Sequence, residues 1–288
     1  MLPIKEEDLI QILPDNGPSI SEVKQYLEKY NDEYIVIKCG GSVLVDDKLF
    51  HIFIDDIAIL NKLGFIPVIV HGGGKRISNK LKEEGVESIF IKGLRVTDDK
   101  TIKVAEEVLI EFNKEIVEAL KDKGCKAQRI TSKENNIIRV VRENEELGYV
   151  GMPTKIDLNI VNNIVETKQV PVIAPLGLDE DGQTYNINAD TAAGFIAKKL
   201  NARRLIIMSD VEGVLDKNKK LIPEINSETI KELVDDETIS GGMIPKINNC
   251  LDVASNGVKG VVIIDGRKDH SILFELLSEK GSGTLIRQ

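Results

Sequence analysis

The chain has 288 residues, 42% of them hydrophobic, and a formal net charge of −9. This length suits one large domain or two modest lobes, and the acidic charge argues against general binding to nucleic acids or anionic membranes, which need a basic surface. No run approaches the roughly 20 apolar residues of a membrane helix, and MLPIKEEDLIQ (1–11) lacks the apolar core of a secretory signal.

The cysteines and histidines give no sign of a metal site. Cys39, Cys125 and Cys250 are odd in number and far apart, and the three histidines lack metal-ligand spacing. Unpaired thiols of this kind are typical of a reducing compartment, so we expect a cytoplasmic protein without a side-chain metal site.

The N-terminal region, residues 1–31, is predicted to form a helical extension. Ser19 or Ser21 follows a turn and can cap a helix that runs to about Tyr30. Because this helix precedes the first strand, it has no obvious place inside an α/β core. We expect it either to pack on its own domain or to reach a neighbouring subunit.

The first predicted strand lies in YIVIKCGGS (34–42) and ends near Lys38, just before two glycines. A turn without side chains lets backbone N–H groups approach a ligand closely, and phosphate is commonly bound in that way. Lys38 would then lie at the carboxyl end of the strand, where open α/β sheets bind their ligands. The alternative is a surface lysine followed by an ordinary loop.

A second buried strand, FIPVIVHGGG (65–74), also runs into glycines. A predicted helix between Asp46 and Gly64 separates the two strands, and a short helix to Gly85 follows the second. If the strands are parallel neighbours, both glycine turns lie side by side at one edge of the sheet.

The middle of the chain departs from this alternation of buried strands and helices. It is predicted to contain a short strand over 86–91, a loop over 92–95 and a long helix from about Thr97 to Lys123. A small antiparallel lid is predicted from the strands 129–131, 137–142 and 149–152. A helix near 158–167 and another buried strand, 171–177, come next.

The last third of the chain continues the alternation of helices and strands. Its predicted helices are 191–200, one capped by Ser227, one opened by SGGMIPK (240–246) and one over about 270–280, and its strands are 203–210 and 259–266. Strands that alternate with helices in this way predict an α/β fold with a mainly parallel open sheet.

Several well-known site motifs are missing from the sequence. There is no G-x-x-x-x-G-K-[ST] phosphate loop and no G-x-G-x-x-G dinucleotide motif after a strand. The HGGG segment lacks an accompanying G-x-S-x-G hydrolase elbow, and Asp179, Asp181 and Gly182 are too closely spaced for a calcium loop.

Six segments together resemble the amino acid kinase family. They are KCGGS (38–42), VIVHGGG (68–74), GLRVTD (93–98), YNINAD (185–190), SDVEGVL (209–215) and GGMIPK (241–246). Each is a weak signal alone, but six in register are specific. Within the family, the chain is similar to members that phosphorylate the γ-carboxylate of N-acetyl-L-glutamate with ATP in arginine biosynthesis.

The resemblance implies a three-layer αβα sandwich around the sheet, preceded by the N-terminal helical extension. It also implies a kinase domain over residues 32–288 with two lobes. The lobe of about 32–178 would bind N-acetyl-L-glutamate, and the lobe of about 179–288 would bind ATP.

The resemblance implies catalytic roles for Lys38, Lys246 and Asp190. Phosphoryl transfer depends mostly on positioning and on neutralising the charge of the moving group. The two lysines would do this from opposite sides, with Asp190 holding both. A carboxylate acceptor is already ionised at pH 7, so no general base is needed. Taken singly, such lysines are usually solvated, and such an aspartate usually caps a helix.

The remaining binding residues are also implied by the resemblance. The substrate-binding set is Gly73, Gly74, Arg95 and Asn186, the phosphate-binding set is Gly41 and Gly73, and the ATP-binding set is Ser209, Asp210 and Gly213. Mg²⁺ would be held mainly by phosphates and water. Taken alone, Arg95 is more often part of a surface ion pair, and His71 is assigned to orientation or packing.

Some members of the family are inhibited by arginine, and in them an N-terminal helix links dimers into a hexamer. The extension and the C-terminal segment of this chain resemble that group, which implies arginine inhibition and a hexamer built as a trimer of dimers. The arginine-binding residues would be His270, Glu275, Gly281 and Gly283. The alternative is a plain dimer with a docked helix.

Two other functions remain open. A related carboxylate kinase could act on an acylated aminoadipate or on free glutamate, because one CH₂ group is worth only about 1–3 kcal/mol in a pocket. A catalytically silent, kinase-like regulatory domain could lose its lysines freely, whereas Lys38, Lys246 and Asp190 are all present.

Overall fold

The computed structural model describes residues 4–288, so the first three residues of the predicted extension lie outside it. The helices of the described chain are α1 (Glu6–Ile12), α2 (Ile20–Tyr30), α3 (Asp47–Lys62), α4 (Gly74–Glu83), α5 (Asp99–Asp122), α6 (Leu158–Glu166), α7 (Ala189–Lys199), α8 (Ser227–Asp235), α9 (Met243–Ser255) and α10 (Ser271–Leu277). The strands are β1 (Tyr34–Cys39), β2 (Ile66–His71), β3 (Phe90–Ile91), β4 (Leu94–Arg95), β5 (Ala127–Ile130), β6 (Ile138–Arg142), β7 (Gly151–Ile156), β8 (Val170–Ile173), β9 (Leu176–Leu178), β10 (Thr184–Asn186), β11 (Arg204–Ser209), β12 (Glu224–Ile225), β13 (Val261–Asp265) and β14 (Gly283–Ile286).

The main sheet has eight strands in the order β12-β14-β13-β11-β1-β2-β8-β5. Its neighbours are parallel except for β13 and β14, which are antiparallel. Strand β1 lies between β2 and β11, with Cys39 opposite His71 and Lys38 opposite Ile207. The turns that follow these three strands therefore meet at one edge of the sheet, as predicted for the two glycine turns.

Helices cover both faces of the main sheet. Ile35 and Ile37 of β1 pack in one hydrophobic cluster with α3, α5 and α10, while Val36 packs in the other with α7 and α9. Successive side chains of a strand point to opposite faces, so a strand that is apolar throughout must be covered on both sides. This arrangement confirms the predicted α/β class, the mainly parallel open sheet and the αβα layers.

The N-terminal extension packs on its own chain. Ser19 Oγ accepts a hydrogen bond from the Glu22 amide and caps α2, as predicted. Val23 and Tyr30 of α2 and Leu9 of α1 are buried in the same cluster as α10. Helix α1 was not predicted, since its seven residues carry only Leu9 on a buried face.

A second sheet of four strands, in the order β10-β9-β6-β7, forms the small lid region. The predicted lid strands 137–142 and 149–152 correspond to β6 and β7. The prediction for 129–131 was wrong, because β5 pairs in parallel with β8 at the edge of the main sheet. A strand of four residues, two of them polar, has the same pattern in either sheet, and only its distant partner decides.

Two further predictions needed correction because of tight turns. The run 171–177 is not one strand: the Leu176 amide donates to the Ala174 carbonyl at 2.8 Å, and the chain leaves the main sheet for β9. Residues 92–95 were predicted to be a loop, but Leu94 and Arg95 form strand β4, which pairs with β3 in a hairpin. Lys92 and Gly93, both at positive φ, form the turn of this hairpin. Two adjacent residues of positive φ are typical of a two-residue hairpin turn.

Asn226, not Ser227, caps α8, because its Oδ1 accepts from the amides of Glu228 and Thr229. Both residues are good caps, so the sequence alone does not separate them. Among the helices of residues 4–288, none combines the length and the apolarity that a membrane span requires.

Candidate active site

A cavity of about 630 Å³ opens at the edge of the main sheet where β1 and β2 end. Its walls come from the two glycine turns, the β3–β4 hairpin and the loop between β10 and α7. The predicted site residues in its lining are Lys38, Gly41, Gly73, Gly74, Arg95, Asn186 and Asp190. These residues come from positions up to 152 apart in the sequence (38 to 190), and the fold brings them to one place.

Asp190 joins the two predicted catalytic lysines. Its Oδ1 lies 3.0 Å from Lys38 Nζ, and its Oδ2 lies 3.5 Å from Lys246 Nζ. Burial by itself would raise the pKa of Asp190, but the ammonium groups of Lys38 and Lys246 hold it below its ordinary value. The carboxylate is therefore charged at neutral pH, and it keeps Lys246, which is not part of the cavity lining, close to Lys38, which is.

The first glycine turn needs the absence of side chains. A Cβ atom at Gly40 would lie 2.3 Å from Lys38 Nζ, and one at Gly41 would lie 2.3 Å from Asp210 Oδ1. Gly41 also has a φ of 66°, in the region that favours glycine. The turn thus lets the Lys38 ammonium and the Asp210 carboxylate lie directly against the backbone.

The second glycine turn is anchored by a neutral imidazole. Burial lowers the pKa of His71 to about 4. The Asn113 side-chain amide lies 3.1 Å from Nε2 as a donor, so Nδ1–H donates to the Gly72 carbonyl at 2.9 Å. Asn113 also donates to the Val172 carbonyl of β8. These contacts agree with the predicted orienting role of His71, which does not line the cavity.

Arg95 is buried, although the sequence alone favoured a surface ion pair. Its guanidinium donates to Ser88 Oγ at 2.7 Å, to the Gly74 carbonyl at 2.8 Å and to Ser78 Oγ at 2.9 Å. The Phe90 ring lies 4.7 Å from Arg95 Cζ. Burial lowers the pKa of Arg95, but a guanidinium remains charged in proteins. Since these partners are all neutral, its charge is available to an anionic ligand.

Asn186 and its neighbour Asn188 lie on the cavity wall. The Asn186 amide N–H donates to the Tyr149 carbonyl, which ties β10 to the lid. Asn188 was missed by the sequence reasoning. Its Oδ1 caps α7 by accepting from the amides of Asp190 at 3.0 Å and Thr191 at 3.1 Å. The Asn at the start of a predicted helix was the available signal.

The predicted ATP-binding residues lie at the end of β11, outside the cavity lining. Asp210 reaches the first glycine turn, where its Oδ1 accepts from the Ser42 amide at 2.7 Å. Ser209 is the last residue of β11 and is buried. A Cβ at Gly213 would lie 2.5 Å from Thr284 Oγ1, so this glycine allows close packing against β14.

Lys75 and Ser42 are two residues of this region that the sequence reasoning missed. Lys75 Nζ lies 3.1 Å from Asp210 Oδ2 and 3.2 Å from Ser42 Oγ. Nothing in the sequence signals this contact, because Asp210 is 135 residues from Lys75.

The predicted arginine-binding residues lie away from the cavity, around α10 and β14. Glu275 accepts from the Ser282 amide at 2.9 Å, and Gly281 at φ 64° lies beside its carboxylate. Burial raises the pKa of Glu275. His270 precedes α10, and its Nδ1 lies 2.6 Å from Asp56 Oδ1. Gly283 begins β14, where a Cβ would lie 2.0 Å from the Ile263 carbonyl oxygen.

The match to a family model decides the family. A model described as "Amino acid kinase family" matches residues 33–265. The chain belongs to the amino acid kinase family. This finding confirms the resemblance seen in the six sequence segments.

Named relatives and solved structures agree with this assignment. The kinase is 69% identical to the acetylglutamate kinase of Pelagibacter ubique (strain HTCC1062), covering 100% of both chains. It is 42% identical to the acetylglutamate kinase of Bradyrhizobium sp. (strain ORS 278), covering 95% of this chain and 97% of that one.

Two solved structures share the fold. The crystal structure of smu.665 from Streptococcus mutans UA159 matches with a TM-score of 0.74 and 32% identity, covering 88% of the kinase and 98% of that chain. An N-acetylglutamate synthase from Neisseria gonorrhoeae, complexed with coenzyme A and N-acetyl-glutamate, has a TM-score of 0.84 at 22% identity. That match covers 94% of the kinase but only 64% of the synthase, and it shows the fold alone.

Proposed function

We propose that this kinase transfers the γ-phosphoryl group of ATP to the γ-carboxylate of N-acetyl-L-glutamate in arginine biosynthesis. The products are N-acetyl-L-glutamyl 5-phosphate and ADP. Full-length relatives named acetylglutamate kinase support this function. The observation that carries the chemistry is the carboxylate of Asp190 between the ammonium groups of Lys38 and Lys246.

The paired lysines suit phosphoryl transfer between two anions. The donor and the acceptor both carry negative charge, so the barrier depends on cations placed where charge accumulates. Lys38, at the end of β1, would neutralise the transferring group, and Lys246 would follow the charge toward the leaving oxygen of ADP. Asp190 fixes the separation of the two ammonium groups and does not itself accept a proton.

Backbone groups of the glycine turns would bind the phosphoryl oxygens. Gly41 and Gly73 line the cavity from two neighbouring strand ends. Gly74 begins α4, and the free N–H groups of a helix N-terminus favour an anion. The reacting groups would lie between the two turns, next to Lys38.

Arg95 and Asn186 would bind the non-reacting part of N-acetyl-L-glutamate. The Arg95 guanidinium is held in place by neutral partners and can pair with the α-carboxylate of the substrate. Asn186 offers both a donor and an acceptor for polar groups next to it. This pairing favours an acylated amino acid over free glutamate.

ATP would bring its own Mg²⁺ to the site. Residues 4–288 contain no group of three or more His, Cys, Asp or Glu side chains arranged to hold a metal ion. Asp190 and Asp210 each face lysine ammonium groups instead. The ion would therefore be held mainly by phosphate oxygens and water, with ATP placed near Ser209, Asp210 and Gly213.

The test is a hydroxylamine trap for the acyl phosphate. The purified kinase is incubated with ATP and Mg²⁺ and with N-acetyl-L-glutamate, free glutamate, free aspartate or N-acetyl-α-aminoadipate. We expect hydroxamate mainly with N-acetyl-L-glutamate. Product with another acceptor alone would reassign the substrate, and no product with any acceptor would contradict the proposal.

We also propose that arginine inhibits this kinase at the C-terminal site. Glu275 is a partly buried carboxylate bonded to a backbone amide and not to a cation in the described structure, so it can receive a guanidinium. His270, Gly281 and Gly283 would complete that site, which lies beside α2 of the N-terminal extension.

The proposed assembly is a hexamer formed as a trimer of dimers. Ile10 of α1 is an apolar side chain that is 61% exposed, and it would be the contact of the extension with a neighbouring subunit. Light scattering should show a hexamer, and Ile10→Asp should reduce it to a dimer. A wild-type chain that is a dimer with and without arginine would contradict this assembly.

Both proposed lobes would contribute residues to the site. The lobe of residues 32–178 supplies Lys38 and Arg95, whereas the lobe of residues 179–288 supplies Asp190 and the ATP-binding residues. The cavity would then lie where the two lobes meet. The reduced cysteines agree with a cytoplasmic enzyme.

A further inference from the structure

Lys75 is a cation of the cavity that the functions described above do not use. It is the second residue of α4 and follows the second glycine turn directly. Its ammonium group reaches across to the first glycine turn and to the end of β11, where it contacts Ser42 Oγ and Asp210 Oδ2. One side chain thus joins the carboxyl ends of three neighbouring strands.

Asp210 places a negative charge on the turn that is proposed to bind phosphate. Its Oδ1 accepts from the Ser42 amide at 2.7 Å, and only the missing side chain of Gly41 allows this approach. Burial by itself would raise the pKa of Asp210, but hydrogen bonds from Ser42 and Lys75 keep it below the ordinary value. The carboxylate is therefore ionised at neutral pH.

An ionised carboxylate at this turn repels an approaching polyphosphate unless a cation neutralises it. Among residues 4–288, Lys75 forms the ion pair with Asp210, while Arg267 attracts the same carboxylate without pairing with it. Lys75 is exposed and Asp210 is only partly buried. Ion pairs of this kind contribute little to folding stability. A contribution to folding stability therefore does not explain the ion pair of Lys75 and Asp210. An electrostatic role at the site explains it.

We propose that Lys75 is a positioning residue for the nucleotide: it neutralises Asp210 beside the KCGGS turn and so allows the triphosphate of ATP to approach. This inference rests on the proposed ATP-dependent function. Lys75 acts through Asp210 and does not touch the transferring phosphoryl group. Its loss therefore weakens nucleotide binding and leaves the chemical step largely intact.

The first test is Lys75→Gln, with steady-state kinetics for both substrates. We expect KM for ATP to rise about tenfold, while kcat and KM for N-acetyl-L-glutamate stay within about twofold. Lys75→Arg keeps the charge and should stay close to wild type. Lys123→Gln is the matched control, because Lys123 is also exposed and pairs with a partly buried aspartate, Asp55, on another surface. An unchanged KM for ATP in Lys75→Gln overturns the inference.

The second test is the double variant Lys75→Gln/Asp210→Asn, compared with Asp210→Asn alone. If Lys75 acts by neutralising Asp210, the two variants have the same affinity for ATP. If Lys75→Gln weakens ATP binding equally in both backgrounds, Lys75 acts on the nucleotide directly, and the inference is wrong.

Calorimetric titration of the free enzymes with Mg-ATP gives this comparison without turnover. A kinase that binds ATP but forms no acyl phosphate would contradict the proposed function, and the effect of Lys75 on ATP affinity would still be measured. The two failures are therefore distinguishable.

Discussion

Two partly buried carboxylates of this kinase stand in opposite electrostatic surroundings. Asp190 lies between the ammonium groups of Lys38 and Lys246, and its pKa is lowered despite burial. Glu275 accepts a hydrogen bond from the Ser282 amide. Burial raises the pKa of Glu275, and this effect exceeds the opposing effects of the Ser282 hydrogen bond and of the positive charges of Arg204 and Lys29. Asp190 is paired with two lysines, whereas Glu275 forms no ion pair with any residue of 4–288.

This difference separates catalysis from regulation in the proposed mechanism. Asp190 is a fixed part of the site, because its role is to keep two lysines in place while phosphate charge moves past them. Glu275 lies on α10 near α2, far along the chain from the cavity residues, and is suited to a ligand that arrives with a positive charge. Changes at the two positions should therefore affect different measurements.

The largest effect is expected from removing the lysines at Asp190. Lys38→Ala and Lys246→Ala should each lower kcat by about 10²–10³, because each removes a preorganised cation from the transition state. Circular dichroism and thermal melting check that the fold is intact. Lys114→Ala is the control, since Lys114 is exposed on α5 with Glu118. Near-normal turnover in either lysine variant would remove that residue from the mechanism.

A smaller effect is expected at Glu275, and only with arginine present. Glu275→Gln should raise the arginine concentration needed for half-inhibition about tenfold, because it removes a charge-assisted hydrogen bond to the guanidinium. Turnover without arginine should not change. Glu279→Gln, on the neighbouring exposed surface, is the matched control. Equal arginine sensitivity of the wild type and Glu275→Gln would place the inhibitor elsewhere.

The smallest effect is a difference in how stability depends on pH. Because the folded-state pKa of Asp190 is lowered, its charge stabilises the fold at neutral pH, and this contribution is lost as pH falls through the folded-state pKa. The pKa of Glu275 is raised, so its contribution is present below the unfolded-state pKa and is lost as pH rises through the folded-state pKa.

We therefore expect the two amide substitutions to differ in sign. Asp190→Asn should lower the free energy of unfolding at pH 7 by about 1–2 kcal/mol, whereas Glu275→Gln should leave it unchanged or raise it by less than about 1 kcal/mol. Both differences should shrink below about pH 4, where ordinary carboxyl groups are protonated. Denaturant titrations at several pH values measure this, and equal losses in both variants at pH 7 would contradict it.

Local patterns in the sequence were sufficient to predict the strand ends that form the site. KCGGS and HGGG each follow an apolar strand, and parallel pairing of these strands follows from the helix between them. The two lysines and Asp190 were identified through the six family segments and not through spacing. Their mutual contact depends on α7 and α9 packing on the same side of the sheet.

Other features depend on partners that are distant in the sequence. Strand β5 mixes Ala127 and Ile130 with Gln128 and Arg129, a pattern that suits either sheet, and its pairing with β8 decides the outcome. The contact of Asp210 with Ser42 joins residues 168 positions apart, and it gives Lys75 its partner. Arg95 shows the same limit, because its burial results from the β3–β4 hairpin that the sequence did not predict.

The most direct test of the central claim is the turnover of Asp190→Asn, measured as trapped acyl phosphate under saturating ATP and N-acetyl-L-glutamate. This substitution keeps the shape of the side chain and removes the charge that holds Lys38 and Lys246 together. We expect a fall in kcat of at least about 100-fold in a folded protein. A kcat within about threefold of wild type would show that the carboxylate does not organise the two lysines for catalysis.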